Sequence, residues 1–266
     1  MQSLWNHRLK DLLPSYRQQV LCFLAAFRFL TIIPVQWQAD KDGDYFQHSL
    51  HYFPVIGGLI GIAAGSMSLF FLSFLPGPVV AVVAIILLAI VSGCLHLDGL
   101  ADTADGFFSS RPKERILEIM RDSRTGAMGV IGIALVLLLK FAALSSMPPA
   151  LFFKAVCLMP IAGRCAIVLS MALLPYARQE GGLGRLFYSG HCRLSAGWSF
   201  VFLFVLTPFT GIRTTVLLCC ITIATGLFFS IWCRRKIGGA TGDTLGAICE
   251  LTEMAVAVAM ANTIGY

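Results

Sequence analysis

Apolar and polar stretches alternate along the chain in long blocks. The apolar runs lie at 18–35, 52–75, 79–97, 127–146, 151–174, 196–210, 212–232 and 245–264. They are continuous, which predicts helices of about the 20 residues that cross a bilayer core. A transmembrane barrel would instead show period-two alternation. Three connections are short and almost uncharged: Pro76-Gly77-Pro78, Ser145 to Ala150 with its Pro148-Pro149, and Thr207 to Gly211. They predict hairpin turns. Other connections are basic, with Arg111, Lys113, Arg115, Arg121 and Arg124 in one, Arg178, Arg185 and Arg193 in the next, and Arg234, Arg235 and Lys236 in the last. The positive-inside rule puts all three in the cytoplasm. If the run 18–35 also crossed, a cytoplasmic basic N-terminus would force those loops outside. Its Arg28 and Pro34 suit an interfacial or re-entrant helix instead. The expected fold is all-α: one polytopic helical-bundle domain over residues 1–266, with about seven spanning helices plus that N-terminal interfacial or re-entrant helix, and the C-terminus outside.

Composition excludes a water-soluble protein. Of 266 residues 57% are hydrophobic, Lys and Arg number 20 against 14 Asp and Glu, and mean hydropathy is +0.80. Nine cysteines lie mostly in apolar runs with no CxxC pair, so they read as small buried hydrophobes, with no disulfide framework or zinc site. The polar segment Met1 to Gln19 has no small-residue cleavage site after the apolar run that follows, and nothing marks it for removal.

Chemistry gathers at the end of the run 79–97, in His96-Leu97-Asp98-Gly99-Leu100-Ala101-Asp102-Thr103-Ala104-Asp105-Gly106. On a helix, carboxylates at i, i+4 and i+7 share one face. Asp98, Asp102 and Asp105 would repel one another unless a cation sits among them, and hard carboxylate oxygens suit Mg²⁺. The small residues Gly99, Ala101, Ala104 and Gly106 would leave room for a phosphate. His96 reads either as a general base or ligand or as a packed interfacial residue.

Two further segments look made for anions. Arg121 and Arg124 are three residues apart, and Gly126 and Gly129 open a helix whose N–H groups could approach a phosphate. The alternative is that these arginines pair with Glu114, Glu118 or Asp122. In Gly238-Gly239-Ala240-Thr241-Gly242-Asp243-Thr244, glycines and threonines lead into a helix with Thr241 or Asp243 as N-cap, a second anion or nucleotide cradle. Glu250 and Glu253 follow on one face of the last run. Intramembrane acids default to a functional role, though protonation or pairing with Arg28 or Lys140 would make them structural. The loop Tyr176 to Gly184, with Arg178, suits substrate contact.

These motifs, together with Phe53-Pro54-Val55-Ile56-Gly57-Gly58, occur in an order that resembles the cobalamin synthase family, the adenosylcobinamide-GDP ribazoletransferases, nearly end to end. One departure is visible. The family's FLTR-[LI]-P pattern appears as Phe29-Leu30-Thr31-Ile32-Ile33-Pro34, without its arginine unless Arg28 takes over. The resemblance implies a Mg²⁺-dependent transferase of the cytoplasmic (inner) membrane, its active site facing the cytoplasm. Its substrates would be adenosylcobinamide-GDP and α-ribazole or its phosphate, and the ribose 3′-hydroxyl would attack the pyrophosphate and release GMP. On that reading Asp98, Asp102 and Asp105 hold Mg²⁺. Arg121, Arg124, Gly126 and Arg178 meet substrate, and Gly239, Thr241, Gly242, Asp243 and Thr244 cradle nucleotide or phosphate. The proton acceptor is Asp105, His96 or Asp122, in that order. Membrane lipid is an expected partner and nucleic acid is not, while a homo-oligomer or a biosynthetic assembly stays open. Rival readings are a CDP-alcohol phosphotransferase, whose DGxxAR arginine is replaced here by Asp102; a prenyltransferase, which would carry two DDxxD-type motifs; and a transporter lined by Lys140, Glu250 and Glu253 with helices broken at Pro160 and Pro208.

Overall fold

The computed structural model describes residues 16–37, 40, 42–178, 182–188, 192–206, 208 and 211–265. Its helices are α1 (Tyr16–Leu30), α2 (Asp42–Ser49), α3 (Phe53–Leu72), α4 (Gly77–Val91), α5 (Leu95–Phe107), α6 (Lys113–Ile119), α7 (Ala127–Ser145), α8 (Pro149–Leu173), α9 (Cys192–Leu206), α10 (Ile212–Ile237) and α11 (Gly242–Ala261). Among the described residues there is no β-strand, and a lone parallel bridge joins Tyr176 to Ala240. Among the described residues five stretches are long and apolar enough to cross a bilayer: Asp42–Leu72, which runs α2 into α3, and then α7, α8, α10 and α11. The protein is an integral membrane protein.

The expected count of seven spans is not confirmed among the described residues. The run 79–97 does not continue as one helix into the acidic cluster: Gly93 and Cys94 both take left-handed backbone (φ +61° and +58°), and α5 leaves α4 at 90°. Counted as one span, this bent pair raises the number to six. Within the described residues, the run 196–210 is the 15-residue α9, and α1 is also 15 residues, about 22 Å at 1.5 Å per residue, shorter than a bilayer core. Beyond α1 the chain leaves helical structure, and the Ile32 N–H donates to the Val91 carbonyl at the end of α4. Two of the predicted turns are present, with Pro76 and Pro148 immediately preceding α4 and α8, while residues 207, 209 and 210 of the third lie outside the described residues.

The centre of the bundle is α8, packed by α3, α9, α10 and α11. Its tightest partner is α3, and the reason is a glycine stripe. A Cβ at Gly57 would stand 2.5 Å from the Pro160 carbonyl oxygen, and one at Gly61 would stand 2.5 Å from that of Cys157. Small residues spaced by four let two membrane helices meet backbone to backbone, where lipid supplies no hydrophobic drive for association. α8 runs unbroken through Pro160, which removes one of the two helix breaks a transporter reading needs. Large apolar side chains such as Phe70, Ile86, Leu138 and Phe228 face outward, as a lipid-facing belt requires. The cysteines are all unpaired; Cys22, Cys165, Cys192, Cys233 and Cys249 are buried as expected, whereas Cys94 and Cys220 are exposed.

Candidate active site

The end of the bundle that carries the basic connections is built by α5 crossing the start of α11. Two glycines allow the crossing: a Cβ at Gly99 would stand 2.6 Å from the Asp243 carbonyl oxygen, and one at Gly246 would stand 3.1 Å from the Cα of His96. The small residues of the acidic motif therefore serve helix contact and do not make room for phosphate. Gly106 likewise faces the Met120 side chain, and Ala101 and Ala104 are buried.

This crossing sets Asp243 among the carboxylates of α5. Burial, then the charges of Asp98, Asp243 and Asp105, push the Asp102 carboxyl up to about 7, with Arg178 opposing. Such mutual repulsion is what a cation would relieve. Asp98 is exposed and Asp102 half-buried, so both remain available. Among the described residues no three acidic, histidine or cysteine side chains are gathered closely enough to grip one ion as they stand.

Asp105 departs from its expected roles. Its two carboxylate oxygens accept the backbone N–H groups of Gly126 (2.6 Å) and Gly129 (2.8 Å). The N-terminus of α7 does bind an anion, as helix geometry favours, but the anion is this side chain, and Gly126 and Gly129 are thereby occupied. Asp122, the third candidate base, receives Nε and Nη2 of Arg124 at 3.0 and 2.6 Å. These bonds hold its carboxyl at about 2, which makes a poor proton acceptor, and they neutralise Arg124. The alternative pairing thus holds for Arg124, and Arg115 pairs with Glu118 at 2.6 Å. Arg121 acts electrostatically on Tyr176.

The glycine-rich loop before α11 folds against the segment after α8. The Ala177 N–H donates to Ala240 O (2.8 Å), and the Ala240 N–H donates to Pro175 O (2.9 Å). Gly239 is required there, since a Cβ would collide with the Pro175 carbonyl. Thr241 and Thr244 are buried in a reciprocal capping box, the Thr241 N–H donating to Thr244 Oγ1 at 2.8 Å and the Thr244 N–H to Thr241 Oγ1 at 3.3 Å. Both hydroxyls and Gly239 are therefore architectural, whereas Gly242 and Asp243 face open space in a cavity of about 200 Å³. Arg178 lines the same cavity, bonded to Asp243 at 2.5 Å and leaning on the Met120 carbonyl at 3.4 Å; its Nε is buried without a partner. Of the substrate loop, residues 179–181 lie outside the described residues.

His96 lines this cavity beside Asp98, but it is 3% exposed and its Nδ1 lies 3.4 Å from Nη2 of Arg164. With one ring nitrogen facing a buried guanidinium, His96 is held as the packed residue of the alternative reading. Arg164 opens a second assembly. It pairs with Glu253, and Lys140 Nζ donates to Glu250 at 2.6 Å and Glu253 at 2.8 Å. Two cations and two anions close into a neutral knot tying α7, α8 and α11 together, so the acidic stripe of α11 is structural in its lower part. Arg28 is elsewhere, bonded to Asp42 and to the carbonyls of Val35 and Trp37. Arg164 was missed from the sequence. Its signal was a lone arginine in the middle of the run 151–174, which an account of intramembrane charge would have matched to the second glutamate.

The family described as cobalamin-5-phosphate synthase matches residues 22–261. An adenosylcobinamide-GDP ribazoletransferase of Clostridium acetobutylicum is 37% identical over 85% of this chain and 90% of its own. Proteins of the same name from Syntrophobacter fumaroxidans (37% identical, 87% and 94% covered) and Acetivibrio thermocellus (38%, 90% and 95%) are similar at comparable length. No solved structure matches. The match over nearly the whole chain shows that it belongs to the cobalamin-5-phosphate synthase family, whose members are transferases.

Proposed function

We propose that this membrane transferase joins α-ribazole, or its phosphate, to adenosylcobinamide-GDP and releases GMP. The ribose 3′-hydroxyl oxygen attacks the phosphorus nearer the corrinoid and gives up its proton to water, a P–O bond forms there, the bond to the bridging oxygen breaks, and that oxygen leaves on GMP. The observation that carries the reading is the cavity where Asp98, Arg178 and Asp243 meet beside Asp102, in a chain similar throughout to proteins bearing that activity's name.

The charge at the site fits Mg²⁺, since several carboxylates gather around Asp102 against one guanidinium. Mg²⁺ is commonly bound by one or two carboxylates plus substrate phosphates, not by an all-protein cage. Asp98 and Asp102 are the side chains that would hold it, with Asp105 withdrawn into its cap, and when bound it would neutralise the pyrophosphate. Arg178 lines the cavity and presents its guanidinium to a phosphate or hydroxyl oxygen, and Asp243 orients it. Arg121, whose charge reaches the rim at Tyr176, takes negative charge on the departing GMP. The basic connections at this end support a site on the cytoplasmic side of the inner membrane.

The test is GMP release by the full chain in liposomes with adenosylcobinamide-GDP. Release that needs both α-ribazole and Mg²⁺, and that EDTA stops, is the expected result. Release without α-ribazole would make the protein a pyrophosphate hydrolase and overturn the proposal.

A further inference from the structure

The reaction brings together two substrates of very different shape, and the cavity discriminates between them. One wall is aromatic: the ring of Phe187 lies 4.5 Å from that of Phe29 and 5.4 Å from that of Phe53, centroid to centroid. Ile167, Met171 and Leu245 continue this lining. None of these six side chains carries a hydrogen-bond donor or acceptor suited to a nucleobase edge. The polar lining is the Arg178–Asp243 pair with Asp98, together with His96 and Tyr176.

A cavity of about 200 Å³ is the size of a nucleoside's base and part of its sugar, and a corrinoid ring with its side chains is several times larger. Two flat bases therefore compete for it, the guanine of the corrinoid donor and the benzimidazole of α-ribazole. Guanine presents N–H donors and a carbonyl along its edge, and burying these against phenylalanine and aliphatic side chains leaves them unpaired at a cost of desolvation. A methylated benzimidazole has an apolar edge and two π-faces, which match aromatic and aliphatic walls. Its ribose hydroxyls then fall to the polar side, where the Arg178 Nε is buried without a partner.

We propose that this cavity is the α-ribazole subsite, the base seated on the Phe29–Phe53–Phe187 wall and the ribose turned toward Arg178 and Asp243. Guanine and corrinoid then stay outside it, approaching from the open side of Asp98 and Arg121. This assignment rests on the transferase reading given above and adds which substrate the cavity selects. It also gives a function to the short helical turn at 183–187, which brings Phe187 from the loop after α8 into contact with α1 and α3.

Two measurements on the full-length protein in detergent test it. In EDTA, with no corrinoid present, labelled α-ribazole should bind and be displaced by benzimidazole riboside but not by guanosine or GMP. In turnover with Mg²⁺, Phe187→Leu should raise KM for α-ribazole about tenfold, the usual discrimination of a small change in an apolar pocket, while KM for adenosylcobinamide-GDP stays within about twofold. Displacement by guanosine, failure of α-ribazole to bind, or a raised KM for the corrinoid substrate alone would overturn the assignment. If α-ribazole binds as described and GMP release never depends on it, the transferase reading fails while the pocket's preference for an apolar base stands. Phe53→Leu is the second variant should Phe187→Leu fold poorly, with the same pattern of KM expected.

Discussion

Asp98, Asp102 and Asp105 look equivalent in the sequence and are not equivalent in the fold. Asp105 accepts two backbone N–H groups at the start of α7, so Asp105→Ala should lower stability by about 1–2 kcal/mol, the usual cost of losing a helix cap, and leave the Mg²⁺ requirement of the surviving enzyme unchanged. A Mg²⁺ titration shifted to higher concentration would return Asp105 to the metal. Asp98→Asn and Asp102→Asn should each reduce GMP release by about a hundredfold or more with the protein still folded, as expected when a metal or electrostatic ligand is removed. Asp122 offers a pH test. Its carboxyl is held down at about 2 by Arg124, so it is ionised throughout the range in which an enzyme is assayed and takes up no proton there. Asp122→Asn should leave the acid limb of the rate–pH profile where it is, and loss or displacement of that limb would reinstate Asp122 as the base.

At the scale of elements, helix crossings decide what the small and the charged residues do. Gly57 and Gly61 are sites where a side chain would meet the backbone of α8, and Gly99 is where one would meet α11. Gly99→Val should separate α5 from α11 and abolish activity through displaced carboxylates, seen as lost turnover in a protein that still resists proteolysis. The knot of Lys140, Arg164, Glu250 and Glu253 is buried on all sides. Lys140→Met leaves an uncompensated buried carboxylate and should destabilise by about 3–5 kcal/mol, whereas Lys140→Met combined with Glu250→Met restores charge balance and should recover much of that loss in thermal unfolding in detergent. Recovery distinguishes a structural knot from a conducting path, in which the pair would carry function that two methionines cannot supply. The 90° bend between α4 and α5 belongs to this scale too. Cys94, Leu95 and Leu97 carry the apolar run past Gly93, so the turn at Gly93 and Cys94 is hidden in the hydropathy pattern.

For the molecule as a whole, cysteines placed at Ser123 and Ser146, on either side of α7, should label from opposite sides of the membrane, Ser123 from the cytoplasm, in a background with Cys94 and Cys220 replaced. Labelling of Ser123 from outside would invert the proposed orientation. What the sequence by itself determined was the class of solvent, the helical character of the runs, the hairpin turns and the clustering of basic connections, because these are sums over local composition and a bilayer enforces them span by span. The motif order was likewise sufficient to name the family. What only tertiary structure decided was the partner of each charge. Nothing local to Asp105 says that Gly126 and Gly129 will claim it, nothing near Arg124 separates substrate from Asp122, and Glu253 meets Arg164 across 89 residues of chain. The aromatic wall has the same origin, since Phe29, Phe53 and Phe187 come from three separate segments and are ordinary apolar residues until α8 and its loop bring them around one cavity. A charge in an apolar bundle must find an opposite charge or a row of N–H groups, and which one it finds is fixed by where the helices cross.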